Sequence, residues 1–256
     1  MRGLTKLKYL DIKEMLIEEL PYSIDHLENL SYLDVSGTDI QCLHDRICSL
    51  YKLQILKLSN CPHSICLPTN MKNLTKLKHL DTKGTHIMHM PLKFGNLKCL
   101  QLLIDFVVGI NSESSISEIK DLFLLRTLSI LRLQNVLDEK LEVLDIKNFI
   151  ELVILKSTKV KSIDVEFYDD GVVSFKSLKT LQFEDMENWE AWLPFKVGEG
   201  FLSLVKLYVS MSENGWDLPM PHTVELIIEA FDKILMTWSN KSIMSSPEIA
   251  VKISTT

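Results

Sequence analysis

Leucine recurs along the N-terminal part of the chain at a nearly fixed step. Aligned on the first leucine of each unit, the sequence reads LTKLKYLDI from Leu4, LENLSYLDV from Leu27, LYKLQILKL from Leu50, LTKLKHLDT from Leu74 and LKCLQLLID from Leu97, in steps of 23, 23, 24 and 23 residues. Within a unit the apolar positions follow L-x-x-L-x-x-L-x-(I/V/L), then a small polar residue, an apolar one two later, and often Leu-Pro or Met-Pro. Leu33 and Val35 alternate with Asp34, which predicts a short strand that buries the first two and exposes the third. Each unit thus offers one strand to a parallel sheet. Thr38, Cys61 and Thr85 follow the strand, where a side chain held inside the turn can bond backbone groups that no ladder reaches; Met15 occupies that place in the first unit and cannot do so well. Pro21, Pro68 and Pro91 end the extended stretch and start an outer return segment that closes on Ile24, Met71 or Phe94, with His44 replacing the proline in the second unit. One such unit cannot bury its own leucines, so neighbours must stack.

A unit of this length and order resembles the leucine-rich repeat, whose usual period is about 20 to 29 residues. The expected class is α/β: a leucine-rich repeat solenoid with a curved parallel sheet on its concave side and an irregular or short helical convex side. Residues 1–108 are read as N-terminal repeats. Residues 109–174 are read as irregular repeats, opened by a loop over 109–117 (GINSESSIS) and with a segment expected to be missing around 138–155. In this stretch Leu122, Leu125, Leu128, Ile130 and Leu133 keep repeat-like spacing, whereas residues 137–159 give no frame. Repeats return over 175–221, where FKSLKTLQF from Phe175 and FLSLVKLYV from Phe201 match 26 residues apart. Residues 222–256 form a divergent tail, in which Val224, Ile227, Ile228, Phe231, Ile234, Leu235 and Trp238 have helical spacing and predict a capping helix. The first repeat opens at Leu4 with no polar cap over its edge, so a chain that began further upstream is expected.

Composition narrows the classes. With 46 % hydrophobic and 24 % charged residues among 256, the chain is expected to fold rather than stay disordered. A net charge of -6 speaks against binding a phosphate backbone, so nucleic acid is not an expected partner. No apolar run reaches membrane-spanning length and no signal-peptide core opens the sequence, so a soluble, cytoplasmic protein is expected. Five cysteines scattered over repeat positions suit reduced thiols better than a disulfide framework.

Candidate chemistry is sparse. His79, His86 and His89 beside Asp81 could be drawn as a metal site, but the repeat frame points His79 and Asp81 out of a strand and sets His86 and His89 around the buried Ile87 in the return segment. Cys61 and Cys66 bracket His63, yet Cys61 is the turn residue of its repeat. No pair of carboxylates has a spacing that singles it out for acid–base work, and no G-x-x-x-x-G-K-(S/T) loop occurs. The chain is therefore expected to be no enzyme and to hold no metal or cofactor. The candidate binding residues are the outward side chains of four strands: Tyr9, Asp11 and Lys13; Tyr32, Asp34 and Ser36; Ile55, Lys57 and Ser59; His79, Asp81 and Lys83. Exposed Tyr and Ile beside charges suit a protein partner.

The strings LPYSIDHLENLSYLDVSGTDI, LQILKLSNC, LPTNMKNLTKLKHLDTKGT, MPLKFGNLKCLQLLIDFVVG and LSILRLQNV, together with VKSIDVEFYDDGVVSFKSLKTLQFEDMENWEAW, resemble the leucine-rich region of plant coiled-coil-type NLR (NB-ARC-LRR) disease resistance proteins. The resemblance implies a module that recognises a pathogen effector or a guarded host protein and contacts the receptor's own nucleotide-binding domain to keep it inactive. The alternative is a leucine-rich scaffold of another kind, such as the substrate-recruiting part of a ubiquitin-ligase adaptor.

Overall fold

The computed structural model describes residues 4–63, 65–87, 89–109, 116–132, 149–155, 162–163, 177–184, 191–192, 205–210, 225–229 and 251–254. The chain divides into two compact units, residues 1–128 and 129–256.

In the first unit the leucine rhythm becomes strands β1 (Tyr9–Asp11), β2 (Tyr32–Asp34), β3 (Ile55–Lys57), β4 (His79–Asp81) and β5 (Leu102–Val107). They pair in parallel and in sequence order, with Tyr9 opposite Tyr32, Tyr32 opposite Ile55, Ile55 opposite His79 and His79 opposite Leu102. The register steps therefore equal the leucine steps. A sixth strand, β6 (Thr127–Leu131), starts in the same way: the amides of Arg126 and Thr127 both donate to Gln101 O, at 2.9 and 3.2 Å.

Beneath the strands the leucines form stacked rows. Leu33, Leu56, Leu80 and Leu103 are fully buried, and so are Leu27, Leu50, Leu74 and Leu97 at the start of their units. Removing that apolar surface from water is the main stabilising term, and each row exists only because the next repeat covers it. At the N-terminal edge, where β1 has a partner on one side only, Leu4 is 49 % and Leu16 93 % exposed.

The return side is built of short 3-10 helices at Tyr22–His26, Asp45–Ser49, Met71–Asn73, Phe94–Asn96 and Ile116–Asp121. Pro21 precedes the first and His44 takes the same place before the second, its Nε2 3.1 Å from Leu20 O. Ile24, Met71 and Phe94 are buried, as expected of closing residues. The turn residues behave as their chemistry suggests. Thr38 Oγ1 donates to Val35 O and Thr85 Oγ1 to Thr82 O, both at 2.7 Å, Cys61 Sγ contacts Val35 O at 3.5 Å, and Met15 is half exposed.

Adjacent returns are laced together by carboxylates. Asp45 accepts bonds from Thr69 Oγ1, Asn70 N and Asn70 Nδ2 at 2.9 to 3.1 Å, and Glu118 accepts from the amides of Lys93 and Gly95. Both satisfy amides at the start of a neighbouring helix that has no side-chain cap of its own. Glu118 also corrects the loop expected over 109–117. The last helix already begins at Ile116, because buried Ile116 and Ile119 re-enter the core and carry Glu118 onto the preceding return.

In the second unit, β7 (Glu151–Leu155), β8 (Ser162–Ile163), β9 (Thr180–Glu184), β10 (Ala191–Trp192), β11 (Lys206–Ser210), β12 (Glu225–Glu229) and β13 (Val251–Ser254) follow in order. β7, β9, β11, β12 and β13 make one parallel sheet, and β8 pairs with β10 in a second. Leu181 lies opposite Leu207, so the two repeats matched by sequence are in register. β7 falls in the stretch that gave no frame; Leu152 and Ile154 are buried on alternate positions and meet Leu181 and Phe183. The helix expected in the tail is corrected at Glu225–Glu229, which is a strand. Leu226, Ile227 and Ile228 form a short apolar run that periodicity cannot assign, and the free edge of β11 decides it. The rest of that proposed helix lies outside the described residues.

Candidate functional site

The outward positions of β1–β5 form three rows across the sheet. The first row runs Tyr9, Tyr32, Ile55, His79 and Leu102, one per strand and directly opposed. Tyr9 is 55 % exposed and the other four are half-buried. The Tyr9 and Tyr32 rings stack with centroids 4.1 Å apart and planes 12° apart, the separation that parallel strands impose on paired side chains.

The second row is Asp11, Asp34, Lys57 and Asp81, with Ile104 next in β5. Its carboxylates are turned back on the backbone: Asp11, Asp34 and Asp81 accept from the amides of Lys13, Ser36 and Lys83 at 3.0 to 3.2 Å. Each satisfies an amide just past the strand. Tyr9 and Tyr32 hydroxyls donate to Asp11 and Asp34 at 3.3 and 3.0 Å. Lys57 Nζ lies 5.9 Å from the Tyr32 ring centroid, within cation–π reach.

Asp34 needs a correction. It points outward yet is only 5 % exposed, because the Tyr32 hydroxyl and the Ser36 amide hold both of its oxygens. Burial raises its carboxyl, but the Ser36 bonds, the Tyr32 hydroxyl and the Lys57 charge outweigh that and hold it below the usual carboxylate range. Burial, then bonding with Tyr9 and Asp34, raises the Tyr32 phenol well above its ordinary value. Asp34 is thus a post that fixes Tyr32, and it offers a partner little surface.

The third row is Lys13, Ser36, Ser59 and Lys83. Lys13 and Lys83 are exposed, and the serines are half-buried, with Ser36 Oγ accepting from Ser59 N at 3.2 Å. All twelve residues singled out from the sequence therefore lie on one sheet face. Sequence reasoning did not extend the face to Leu102 and Ile104, although the fifth leucine unit carried the signal.

His79, His86 and His89 do not converge. His79 is on the sheet face, while His86 and His89 are exposed to either side of buried Ile87. Among the described residues no group of three His, Cys, Asp or Glu side chains could hold a metal ion, and no helix is long and apolar enough to cross a membrane.

With this geometry in place, the comparisons with known proteins agree on the repeat. Residues 1–86 match the family described as leucine-rich repeat region. A protein of Arabidopsis thaliana named for disease resistance is 39 % identical over 137 residues, 53 % of this chain and 10 % of that protein. Among solved structures, a leucine-rich repeat protein of Leptospira interrogans superposes with a TM-score of 0.63 at 21 % identity, covering 82 % of this chain and 51 % of the other. The leucine-rich ectodomain of the Arabidopsis receptor kinase GASSHO1/SCHENGEN3 gives 0.55 at 13 %, covering 84 % and 27 %. The chain therefore spans a small part of its curated relative and about half of the bacterial one. The fold is that of a leucine-rich repeat solenoid, and over 137 residues the chain is similar to a plant protein named for disease resistance.

Proposed function

We propose that the chain is the protein-binding module of an intracellular plant immune receptor, acting in the cytoplasm. Its sheet face would recognise a pathogen effector or a guarded host protein, or rest against the receptor's own nucleotide-binding domain. The observation that carries this reading is the continuous outward row Tyr9, Tyr32, Ile55, His79 and Leu102. Aromatic and branched side chains in a pre-ordered row lose little entropy on binding and supply most of the contact energy in protein interfaces. The flanking charges of Lys13, Lys57, Asp81 and Lys83 suit a rim that steers a partner. The likeness to the Arabidopsis disease resistance protein supports the cellular setting.

The test is a set of alanine variants scored for binding to the receptor's nucleotide-binding domain and to candidate effectors, each checked for folding by circular dichroism. Tyr32→Ala and Ile55→Ala should each weaken binding by about 2 kcal/mol, and Lys57→Ala or Lys83→Ala by under about 1 kcal/mol. Retained binding in the first pair, with loss in the return-side variants Lys72→Ala and Lys93→Ala, would place the interface elsewhere.

A further inference from the structure

Cys42 and Cys66 face each other across two adjacent repeats on the return side. Leu43 N donates to Cys66 O and Cys66 N donates to Gln41 O, both at 3.0 Å. These slanted bonds to the residues on either side of Cys42 make the two cysteines direct partners in a parallel bridge. Bridged strands lie about 4.8 Å apart, inside the roughly 4.4 to 6.8 Å Cα range that a disulfide spans. Both are exposed free thiols.

The remaining cysteines are placed differently. Cys48 is buried and burial, then Asp45, pushes its thiol up to about 12, so it stays protonated and inert. Cys61 is buried with its sulfur turned to Val35 O, and Cys99 is half-buried in another repeat. Burial, then the neighbouring Cys66 thiol, raises the Cys42 thiol above its ordinary value, in keeping with the closeness of the two sulfurs.

From this juxtaposition we infer that Cys42 and Cys66 are a reversible dithiol–disulfide pair, closed by a two-electron oxidant of the peroxide class and reopened by a thiol reductant. The thiolate of one cysteine attacks hydrogen peroxide, forming an S–O bond as the O–O bond breaks, and the released hydroxide leaves as water once protonated. The sulfur of the other cysteine then attacks the sulfenic sulfur, the S–S bond forms, and its proton leaves with the sulfenic oxygen as a second water. Two thiols are oxidised and one peroxide is reduced. The closed form staples the second repeat to the third at the entry to Leu67 and Pro68, and its exposure makes it the labile kind of disulfide. This goes beyond the partner-binding reading and does not depend on it.

The purified chain would be titrated with hydrogen peroxide, alkylated, digested without reductant and mapped by mass spectrometry. Phenylarsine oxide, which needs two neighbouring thiols, would be the second probe. About one equivalent of peroxide should remove two thiols and yield a Cys42–Cys66 linked peptide that dithiothreitol dissolves. The arsenical should bind the wild type and Cys99→Ser with equal stoichiometry, and should not bind Cys42→Ser or Cys66→Ser. Both of these positions are exposed, so circular dichroism should show the solenoid intact. Independent oxidation of the two thiols with no linked peptide would overturn the proposal, as would arsenical binding that survives in Cys42→Ser.

Discussion

Repeats β2 and β5 start in the same register and then part. In β2 the backbone keeps its alternation to Ser36, which stays on the sheet face, and turns at Gly37 with φ 68°. The turns after β1, β3 and β4 use the same position, at Glu14, Asn60 and Gly84, all with positive φ. Their amides continue the ladder: Glu14 N to Ser36 O, Gly37 N to Ser59 O and Asn60 N to Lys83 O, at 2.7 to 2.8 Å. In β5 the positive φ comes two residues earlier, at Asp105 with 63°. That reversal turns Phe106 inward, where it is fully buried with its ring 5.9 Å from Phe94.

The neighbour is fitted to this departure. Gly84 N would by the repeat rule bond Phe106 O, and instead donates to Asp105 Oδ2 at 3.2 Å. Thr82, where other repeats carry Val35 or Leu58, donates its hydroxyl to Ile104 O at 2.6 Å. A carboxylate thus stands in for a ladder carbonyl that the backbone has carried away, and the Thr82 hydroxyl reinforces its own amide, which reaches Ile104 O at a long 3.4 Å, since buried amides and carbonyls must be paired. Backbone sign at one position decides whether a residue belongs to the outward sheet face or to the core.

The largest expected effect sets Phe106 against its register counterpart Lys83. Phe106→Ala should cost about 4 kcal/mol by opening a cavity under Phe94, whereas Lys83→Ala, at an exposed site, should stay within about 0.5 kcal/mol. Urea midpoints of the two variants would show it, and equal losses would mean that β5 continues the regular repeat.

Next comes Asp105 itself. Asp105→Val places a β-branched residue at positive φ and strips the acceptor from Gly84, for about 3 kcal/mol in total. Asp105→Gly keeps the backbone and loses only the acceptor, about 1 kcal/mol, and Asp105→Asn should lie closest to wild type because Asn tolerates the left-handed region and still offers an oxygen. A flat series would refute the double role.

Much of the regular region was legible beforehand because its signals are chemical and periodic. Leucine spacing gave strand positions and register, proline gave the start of the returns, and Thr38 and Thr85 announced the bonds they make. Asp105 was visible as a departure, but its solution was hidden: a buried carboxylate serving a glycine amide 21 residues away is a three-dimensional substitution with no local pattern. Likewise Glu14 gave no hint of the positive φ it takes at the place of Gly37 and Gly84, whereas Asn60 is a residue type that tolerates it. Alternation put Asp34 outward correctly and missed its burial, which depends on how Tyr32 is held. The helical spacing from Val224 to Trp238 predicts a helix at β12, but the three-residue apolar run at its start fits a strand equally well.

A smaller effect separates the turns. A Cβ on Gly84 would lie 2.6 Å from Asn60 Oδ1, and one on Gly37 3.3 Å from Glu14 Cγ. Both alanine variants should lose about 1 kcal/mol to the left-handed backbone. Gly84→Ala should lose slightly more, and Asn60→Gly should recover that excess in the double variant; additivity of the two changes would show that the turns do not touch.

The smallest effect is expected from acid, and it falls on the regular repeats. Asp34 and Asp45 both titrate below the usual carboxylate value of 3.8. For Asp45 the Asn70 backbone bond is the largest cause, with burial opposing it. A carboxyl whose pKa is lower in the folded chain than in the unfolded one favours the folded chain in its ionised form. The contribution is complete above about pH 5, where both states are ionised, and it fades as pH falls through the lower folded value. In β5 the register position of Asp34 is held by Ile104, which has nothing to protonate. Acid should therefore loosen the amides of Ser36 and Asn70, which these carboxylates hold, and leave β5 at Ile104 as it was. Hydrogen exchange between pH 5 and pH 3, corrected for intrinsic rates, should show protection falling at Ser36 and Asn70 by about 1 kcal/mol or less each, with the smaller loss at Asn70, where solvent screens the exposed Asp45. Asp34→Asn should remove the pH dependence at Ser36 alone. Equal loss across β2 and β5 would mean that acid acts on the net charge of the whole chain, and that the difference between the two repeats has no electrostatic part.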